Sequence, residues 1–186
     1  MSDSRLEDDT QPYSAPTTTQ TRTLEQKRAL LRRALQQSPN DPRLLATLRE
    51  TLTPSIIARA AERGVFIAYA RADEIFAFEL DNDLRECGVR VWMDAIDIAP
   101  QADWRRAVVS ALHDCGVLLM VLSPAAVEDN DVVNEWQYFN NAGKVIVPVL
   151  VEACDFSRFR LAVDVFDFSR DKRSALLQLT RLLKGE

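Results

Sequence analysis

The 186-residue sequence has little of several residue types on which common kinds of site depend. It has one histidine, His113, and its three cysteines form no CxxC or Cys/His cluster, which argues against a metal site, a histidine-based triad and a disulfide framework. The cysteines, Cys87, Cys115 and Cys154, are expected to be reduced and buried. Neither GxGxxG nor a Walker A motif occurs, so the usual glycine-rich phosphate cradles are absent. Any catalysis by this chain is expected to depend on carboxylates.

Charge and hydropathy argue against two further classes of partner. Lys plus Arg number 23 and Asp plus Glu 28, and the resulting net charge of −5 disfavours nucleic acid. No apolar run approaches the ~20 residues that span a bilayer. The polar start MSDSRLEDDT has no apolar segment of the signal-peptide kind. We therefore expect a cytoplasmic protein that binds neither nucleic acid nor a membrane.

Composition divides the chain into a polar tail, a helical arm and a larger domain. Residues 1–22 are rich in Thr, Ser, Gln, Asp and Pro, which predicts a disordered tail. Residues 23–62 predict an arm of short helices, one of them beginning at Asp41-Pro42. We expect the arm, from residue 24 to residue 62, to pack on the domain or to contact a protein partner. Residues 63–186 form the predicted domain.

The glycines indicate the architecture of that domain. Four of the five precede short aliphatic runs, VFIAYA, VRVWM, VLLMVL and VIVPVLV: Gly64, Gly88, Gly116 and Gly143. A glycine there lets a helix end in a left-handed turn that leads into a strand. Their spacing suits repeated strand–helix units, which form parallel sheets. With a last strand near 163–168, this predicts an α/β fold, a flavodoxin-like five-stranded parallel sheet flanked by helices and preceded by the helical arm.

Two strands carry further signals. VLLMVL is apolar on both faces, which predicts a central strand covered on both sides. Pro148 within VIVPVLV lacks a backbone donor, which predicts an edge strand or an irregularity.

The expected site lies where the strand order of such a sheet reverses. Open parallel sheets bind ligands at the carboxyl ends of their strands, and in the flavodoxin-like order the reversal lies between the first and third strands. Polar and aromatic residues follow these strands and the second one. The candidates are Tyr69, Arg71, Asp73, Trp92, Asp94, Trp104, Ser123 and Glu135.

Four blocks of the domain carry a resemblance to a known family. In order and spacing, FIAYARAD, VRVWMDAIDIAPQADWRRAVVSAL, VLLMVLSPAAVEDNDVVNEW and VIVPVLVE resemble a bacterial TIR (Toll/interleukin-1 receptor) domain over about residues 64–186. The resemblance implies the flavodoxin-like fold and one of two activities. These are NAD cleavage, often in bacterial immunity, and non-catalytic scaffolding through TIR–TIR contacts. For cleavage it implies a catalytic glutamate at Glu135, NAD as the substrate without a further cofactor, and activation by assembly into a homo-oligomer.

The chemistry of NAD cleavage needs few protein groups. Breaking the nicotinamide–ribose bond develops oxocarbenium-like charge on the sugar, which an adjacent carboxylate stabilises. Nicotinamide leaves as a neutral molecule, so no second acid has to protonate it. One carboxylate therefore suffices, whether the product is linear or cyclic ADP-ribose. Aromatic rings that could stack on the nicotinamide are Tyr69, Trp92, Trp104 and Trp136.

Several candidates also have an ordinary structural interpretation. Trp92 is a core or rim aromatic as readily as a ligand contact, and Trp104 begins an apolar helical stripe that favours the core. Asp94 binds a ribose hydroxyl or caps its loop. Arg71 and Asp73 contact phosphate or, as we favour, pair with each other. The full predicted substrate-binding set is Tyr69, Ala70, Arg71, Asp73, Trp92, Asp94, Trp104 and Ser123.

The sequence departs from the usual family pattern around the glutamate and in one loop. Asp129 and Asp131 occupy the positions of a common serine and tryptophan, and Asp131 is expected to raise the pKa of Glu135. Pro100-Gln101 replaces a Pro-Gly pair, so the turn lacks a glycine with positive φ. Ala70 occupies a common serine position. The loop residues expected to take part in assembly are Ile98, Pro100 and Gln101.

Two other functions remain open. A non-catalytic interaction module that self-associates through residues 96–101 is favoured by the departures at Asp131 and Gln101. A receiver domain would need a phosphorylatable aspartate at the end of the third strand, where this chain has Ser123-Pro124, and this argues against it.

Overall fold

The computed structural model describes residues 18–38, 41–159 and 161–186 and contains one parallel sheet. Its strands are β1 Val65–Ala68, β2 Val91–Trp92, β3 Val117–Leu122, β4 Val145–Leu150 and β5 Phe166–Asp167. Their order is β2-β1-β3-β4-β5, and every neighbouring pair is parallel. The predicted flavodoxin-like order is therefore confirmed.

Helices precede the sheet and cover both of its faces. The helices of the arm are α1 Thr18–Gln37, α2 Pro42–Glu50 and α3 Pro54–Ala61. Those of the domain are α4 Glu74–Glu86, α5 Asp94–Asp97, α6 Trp104–Asp114, α7 Pro124–Glu128, α8 Asn130–Asn141 and α9 Lys172–Lys184. The short helices α5 and α7 were not predicted, because four or five residues are too few to show a helical period.

The arm begins earlier than expected. Helix α1 starts at Thr18, within the segment predicted as a disordered tail, and the rest of that tail lies outside the described residues. The predicted start of α2 is confirmed, since the Asp41 carboxylate accepts hydrogen bonds from the N–H groups of Arg43 (2.8 Å) and Leu44 (3.4 Å).

The core has one layer on each side of β3, whose six residues are all fully buried. Successive side chains point to opposite faces of the sheet. One layer contains Val117, Leu119 and Val121, and the other contains Leu118, Met120 and Leu122. The prediction of a central, doubly covered strand is confirmed. Strand β4 is not an edge strand, but β5 pairs only with its last two residues, so at Pro148 it has a partner on one side alone.

The glycine prediction holds at three of its four positions. Gly64, Gly88 and Gly143 have positive φ, whereas Gly116 does not. Gly116 is needed for close packing instead, because a Cβ there would collide with the carbonyl oxygen of Ala60 at the end of α3. The arm therefore packs against the domain, which is one of the two arrangements that the sequence predicts for it.

Two further observations concern membranes and thiols. None of the described helices is long and apolar enough to cross a membrane. All three cysteines are free; Cys115 is buried and Cys154 half-buried. The expected burial is wrong for Cys87, which is exposed just after α4.

Candidate active site

A cleft of about 130 Å³ opens beside the carboxyl end of β1, where the sequence predicts a site. Its lining consists of Phe66, Ile67, Tyr69, Arg71, Asp94, Trp104, Asp129, Asp131 and Glu135. The structure thus brings together Glu135 and four of the eight predicted substrate-binding residues. The four that do not line the cleft are Ala70, Asp73, Trp92 and Ser123.

Glu135 lies in the second turn of α8 with a half-buried side chain. Its carboxylate has no hydrogen-bond partner among the described residues, and its pKa is raised well above the ordinary value. Burial is the largest cause, followed by the negative charges of Asp94, Asp131 and Asp129. The expected effect of Asp131 is confirmed. Glu135 is therefore a carboxyl group that binds a proton more tightly than a solvated glutamate and has a free face toward the cleft.

Two of the acidic neighbours were not predicted as site residues. Asp129 caps α8, accepting hydrogen bonds from the N–H groups of Asp131 (2.8 Å) and Val132 (3.2 Å). The signal was available, since an aspartate just before a helical pattern predicts an N-cap. Because the first turn of α8 faces the cleft, its acids become part of the site.

Tyr69 and Asp94 form a fixed pair across the cleft. The Tyr69 hydroxyl donates a hydrogen bond of 2.6 Å to Oδ1 of Asp94, which also accepts one from the N–H of Ala95 (2.8 Å). Burial and the bond to Asp94 raise the pKa of Tyr69, so the phenol stays protonated. Asp94 therefore caps its own loop and still presents a carboxylate to the cleft, which combines the two roles that the sequence left open.

Arg71 and Asp73 do not pair with each other, so the favoured interpretation of their loop is wrong. The Arg71 guanidinium donates a hydrogen bond of 2.6 Å to the Glu74 carboxylate. Asp73 accepts a 2.6 Å hydrogen bond from the Ser123 hydroxyl, which in turn caps α7 by accepting from the N–H of Ala126. Asp73 and Ser123 hold the loops after β1 and β3 together beside the cleft.

The three tryptophan candidates have different places in the structure: one lines the cleft together with Tyr69, and the other two pack against phenylalanine rings. Trp104 is 43% exposed and lines the cleft, so its expected place in the core is wrong. Trp92 stacks on Phe66 at 4.7 Å between ring centroids. Trp136 packs edge-on against Phe159 at 5.1 Å. Of the aromatic candidates, Tyr69 and Trp104 are therefore the two that line the cleft.

The loop after β2 is anchored at its start by charges that sequence analysis missed. Asp97 accepts hydrogen bonds from the N–H of Met93 (2.7 Å) and from Arg85 of α4 (2.8 Å). Arg85 also contacts the buried carboxylate of Asp81. Further along, Ile98 packs partly against the core, while Pro100 and Gln101 are exposed.

Gln101 has a φ of 73°, the only positive value of a non-glycine residue in the described part of the chain. The turn thus adopts the left-handed conformation for which glycine is the favoured residue.

We expect Gln101→Gly to raise the free energy of unfolding by about 1 kcal/mol, measured by urea denaturation. Gln137→Gly, at an exposed position inside α8, should lower it by about 1 kcal/mol. Equal effects of the two changes would contradict the strain at Gln101.

The sheet order and the acidic cleft define a flavodoxin-like α/β domain with a site at its strand ends. A family model described as the TIR domain matches residues 65–182, so the chain belongs to the TIR domain family. Among solved structures, the chain is similar to the TIR domain of the Toll-related receptor TRR-2 from Hydra magnipapillata. The TM-score is 0.56 and the identity 21%, over 64% of this chain and 97% of that chain, which supports the fold alone. No curated protein matches the chain.

Proposed function

We propose that this TIR domain cleaves the bond between nicotinamide and ribose in NAD, with Glu135 as the catalytic carboxylate. One observation above all supports the proposal: Glu135 presents a half-buried carboxyl group, with no hydrogen-bond partner among the described residues, on the wall of a cleft. Carboxyl groups in such surroundings occur at catalytic sites more often than on ordinary helix surfaces.

The charges of the cleft suit the reacting end of NAD. The nicotinamide ring is a cation, and three aspartates, Asp94, Asp129 and Asp131, line the cleft together with Glu135. In the reaction the electrons of the C–N bond leave with nicotinamide, and positive charge moves onto the ribose. Ionised Glu135 stabilises that charge at close range.

The second step consumes a nucleophile. Water adds to the ribose carbon and loses a proton to Glu135, giving ADP-ribose, or an adenine nitrogen of the same molecule adds and closes a ring. In this scheme Trp104 stacks on a ring of the substrate, and the fixed Tyr69–Asp94 pair binds a ribose hydroxyl.

The direct test is to incubate concentrated purified protein with NAD and to separate nicotinamide, ADP-ribose and cyclic ADP-ribose by chromatography over time. Equimolar release of nicotinamide and one adenine product is the expected result, and the product distinguishes hydrolysis from cyclisation. Rates are compared over a range of protein concentrations, because we propose that activity increases with self-association through the loop that contains Ile98, Pro100 and Gln101. No nicotinamide at any concentration, heat-denatured protein serving as the blank, would overturn the proposal.

The alternative function is non-catalytic assembly, and the charge around Glu135 favours it. Asp131 and Asp129 raise the pKa of Glu135, which opposes the ionised form that the reaction needs. For this function light scattering would show concentration-dependent assembly with no loss of NAD.

The acidic neighbours make the proposed activity dependent on pH. Glu135 must be ionised, so kcat/KM is expected to rise with pH as this group loses its proton. Asp131→Asn removes one negative charge and lowers the pKa of Glu135, so the rise should move to lower pH. The measurement is a pH profile of kcat/KM, with Asp164→Asn as the control, since Asp164 is exposed and does not line the cleft. An unmoved profile in Asp131→Asn would contradict the role of Glu135.

A further inference from the structure

Two buried arginines fix the helical arm to the domain. The family match begins at residue 65, so α1 lies outside it. Yet Arg28 and Arg32, one turn apart on α1, are only 1% and 7% exposed. Burial lowers the pKa of both guanidinium groups, because the charged form loses solvation. Neither makes an ion pair with a carboxylate in the described part of the chain.

Most of the partners of these arginines are carbonyl groups at the end of α8; the exception is the Thr51 carbonyl at the end of α2, which accepts a hydrogen bond from Arg28 (3.3 Å). That helix ends in a left-handed turn, with Gly143 at a φ of 68° and the N–H of Lys144 bonded to the carbonyl of Phe139 (3.0 Å). Arg28 donates from Nε to the Gly143 carbonyl (2.8 Å). Arg32 donates from one Nη to the carbonyls of Lys144 (2.7 Å) and Phe139 (3.3 Å). Both cations thus face the negative end of the α8 dipole.

Lys144 continues this set of contacts to a second helix of the cleft. Its buried ammonium donates to the carbonyls of Leu112 (2.7 Å), His113 (2.7 Å) and Cys115 (2.9 Å), at the end of α6. Helix α8 carries Glu135, and α6 begins at Trp104. Buried cations therefore hold both helices at the ends that lie farthest from the cleft.

Stability alone does not require charge at these positions. The Phe139 carbonyl already accepts a backbone hydrogen bond from the N–H of Lys144, and a neutral donor such as an amide could bond the other carbonyls without the cost of burying a cation. A guanidinium that bonds defined carbonyls instead restricts where the end of the helix can lie. Phe139 is one turn after Glu135, so a shift at this end moves the carboxylate as well.

We infer that α1 is a positioning element of the active site, in which Arg28 and Arg32 fix the C-terminal end of α8 and thereby the place of Glu135 in the cleft. The kinetic consequence rests on the proposed function, whereas the effect on α8 does not. A misplacement of catalytic groups by about 1 Å costs on the order of a hundredfold in rate.

The test compares Arg32→Met with Arg33→Met, an exposed arginine of the same helix. In Arg32→Met we expect kcat for NAD to fall roughly ten- to a hundredfold with KM within about twofold. Amide hydrogen exchange over residues 132–144 should accelerate, while Arg33→Met matches the wild type in all three measurements. If Arg32→Met does not fold, Arg32→Gln replaces it, because the glutamine side chain is too short to reach both the Phe139 and the Lys144 carbonyl groups.

The outcomes separate this inference from the proposed function. If the wild type cleaves NAD and the folded Arg32 variant keeps its kcat, the inference is wrong, whatever the exchange rates. If the wild type does not cleave NAD, the proposed function is wrong, and amide hydrogen exchange alone tests whether α1 positions α8. Faster exchange over residues 132–136 than in Arg33→Met then supports positioning of the Glu135 segment, and equal exchange overturns it.

Discussion

Glu135→Gln is expected to lower kcat for NAD cleavage about a thousandfold or more and to leave the fold intact. The amide keeps the size of the side chain but cannot carry the negative charge that stabilises the oxocarbenium-like ribose. The measurement is nicotinamide release under saturating NAD. Glu62→Gln, an exposed position at the end of α3, is the matched control and should retain wild-type kcat. A kcat within tenfold of wild type in Glu135→Gln would exclude Glu135 as the catalytic group.

The same substitution should not destabilise the protein at neutral pH. The pKa of Glu135 is raised in the folded state, so between the ordinary value and the raised one the folded chain binds more protons than the unfolded chain. The contribution of Glu135 to the free energy of unfolding therefore falls as pH rises through that range. Glutamine has no such dependence. Calorimetry at pH 5 and pH 8 should show a smaller drop in Tm for Glu135→Gln than for wild type, and a larger drop would contradict the raised pKa.

Gly143→Ala is expected to cost about 3 kcal/mol or more in the free energy of unfolding. The new methyl group would meet the backbone of α1 at Glu25 and Ala29, and it would also strain a left-handed φ. Gly88 supplies the matched control, because it has a similar φ of 81° and no atom near the position of a Cβ. Gly88→Ala should cost only about 1 kcal/mol.

The difference between the two glycine variants, measured by urea denaturation, reports the docking of α1 separately from backbone strain. We also expect Gly143→Ala to accelerate amide exchange in α1, where Gly88→Ala should not. Equal losses of stability in both variants would mean that α1 moves aside at no cost, which would contradict the tight contact at Gly143.

The sheet could be predicted from sequence because its signals are local. Aliphatic runs after glycines marked the strands, and the connections between them were long enough for one helix each. The position of Glu135 comes from the resemblance to TIR domains, which implies a glutamate on the helix after the third strand. Pairings are harder to predict from sequence. The sequence favours Asp73, two residues away, as the partner of Arg71, but residues three apart face each other on a helical turn, and Glu74 is the actual partner.

The contacts of the arm could not be predicted from local pattern. Arg28 bonds a carbonyl 115 residues away, and the sequence of α1 gives no sign that these two cations are buried while Arg33 is exposed. Trp104 was misjudged for a related reason. An apolar stripe predicts which face of a helix is covered, but not whether its first residue extends past the edge of the core.

The close contact at Gly143 also shows that the folding unit is larger than the segment that the family match covers. Homology marks out residues 65–182, but a fragment cut at that boundary would present the end of α8 to water where two guanidinium groups now cover it. The arm is therefore a packed part of the folded domain rather than a linker. Any transplant of this domain into another protein should carry α1 with it.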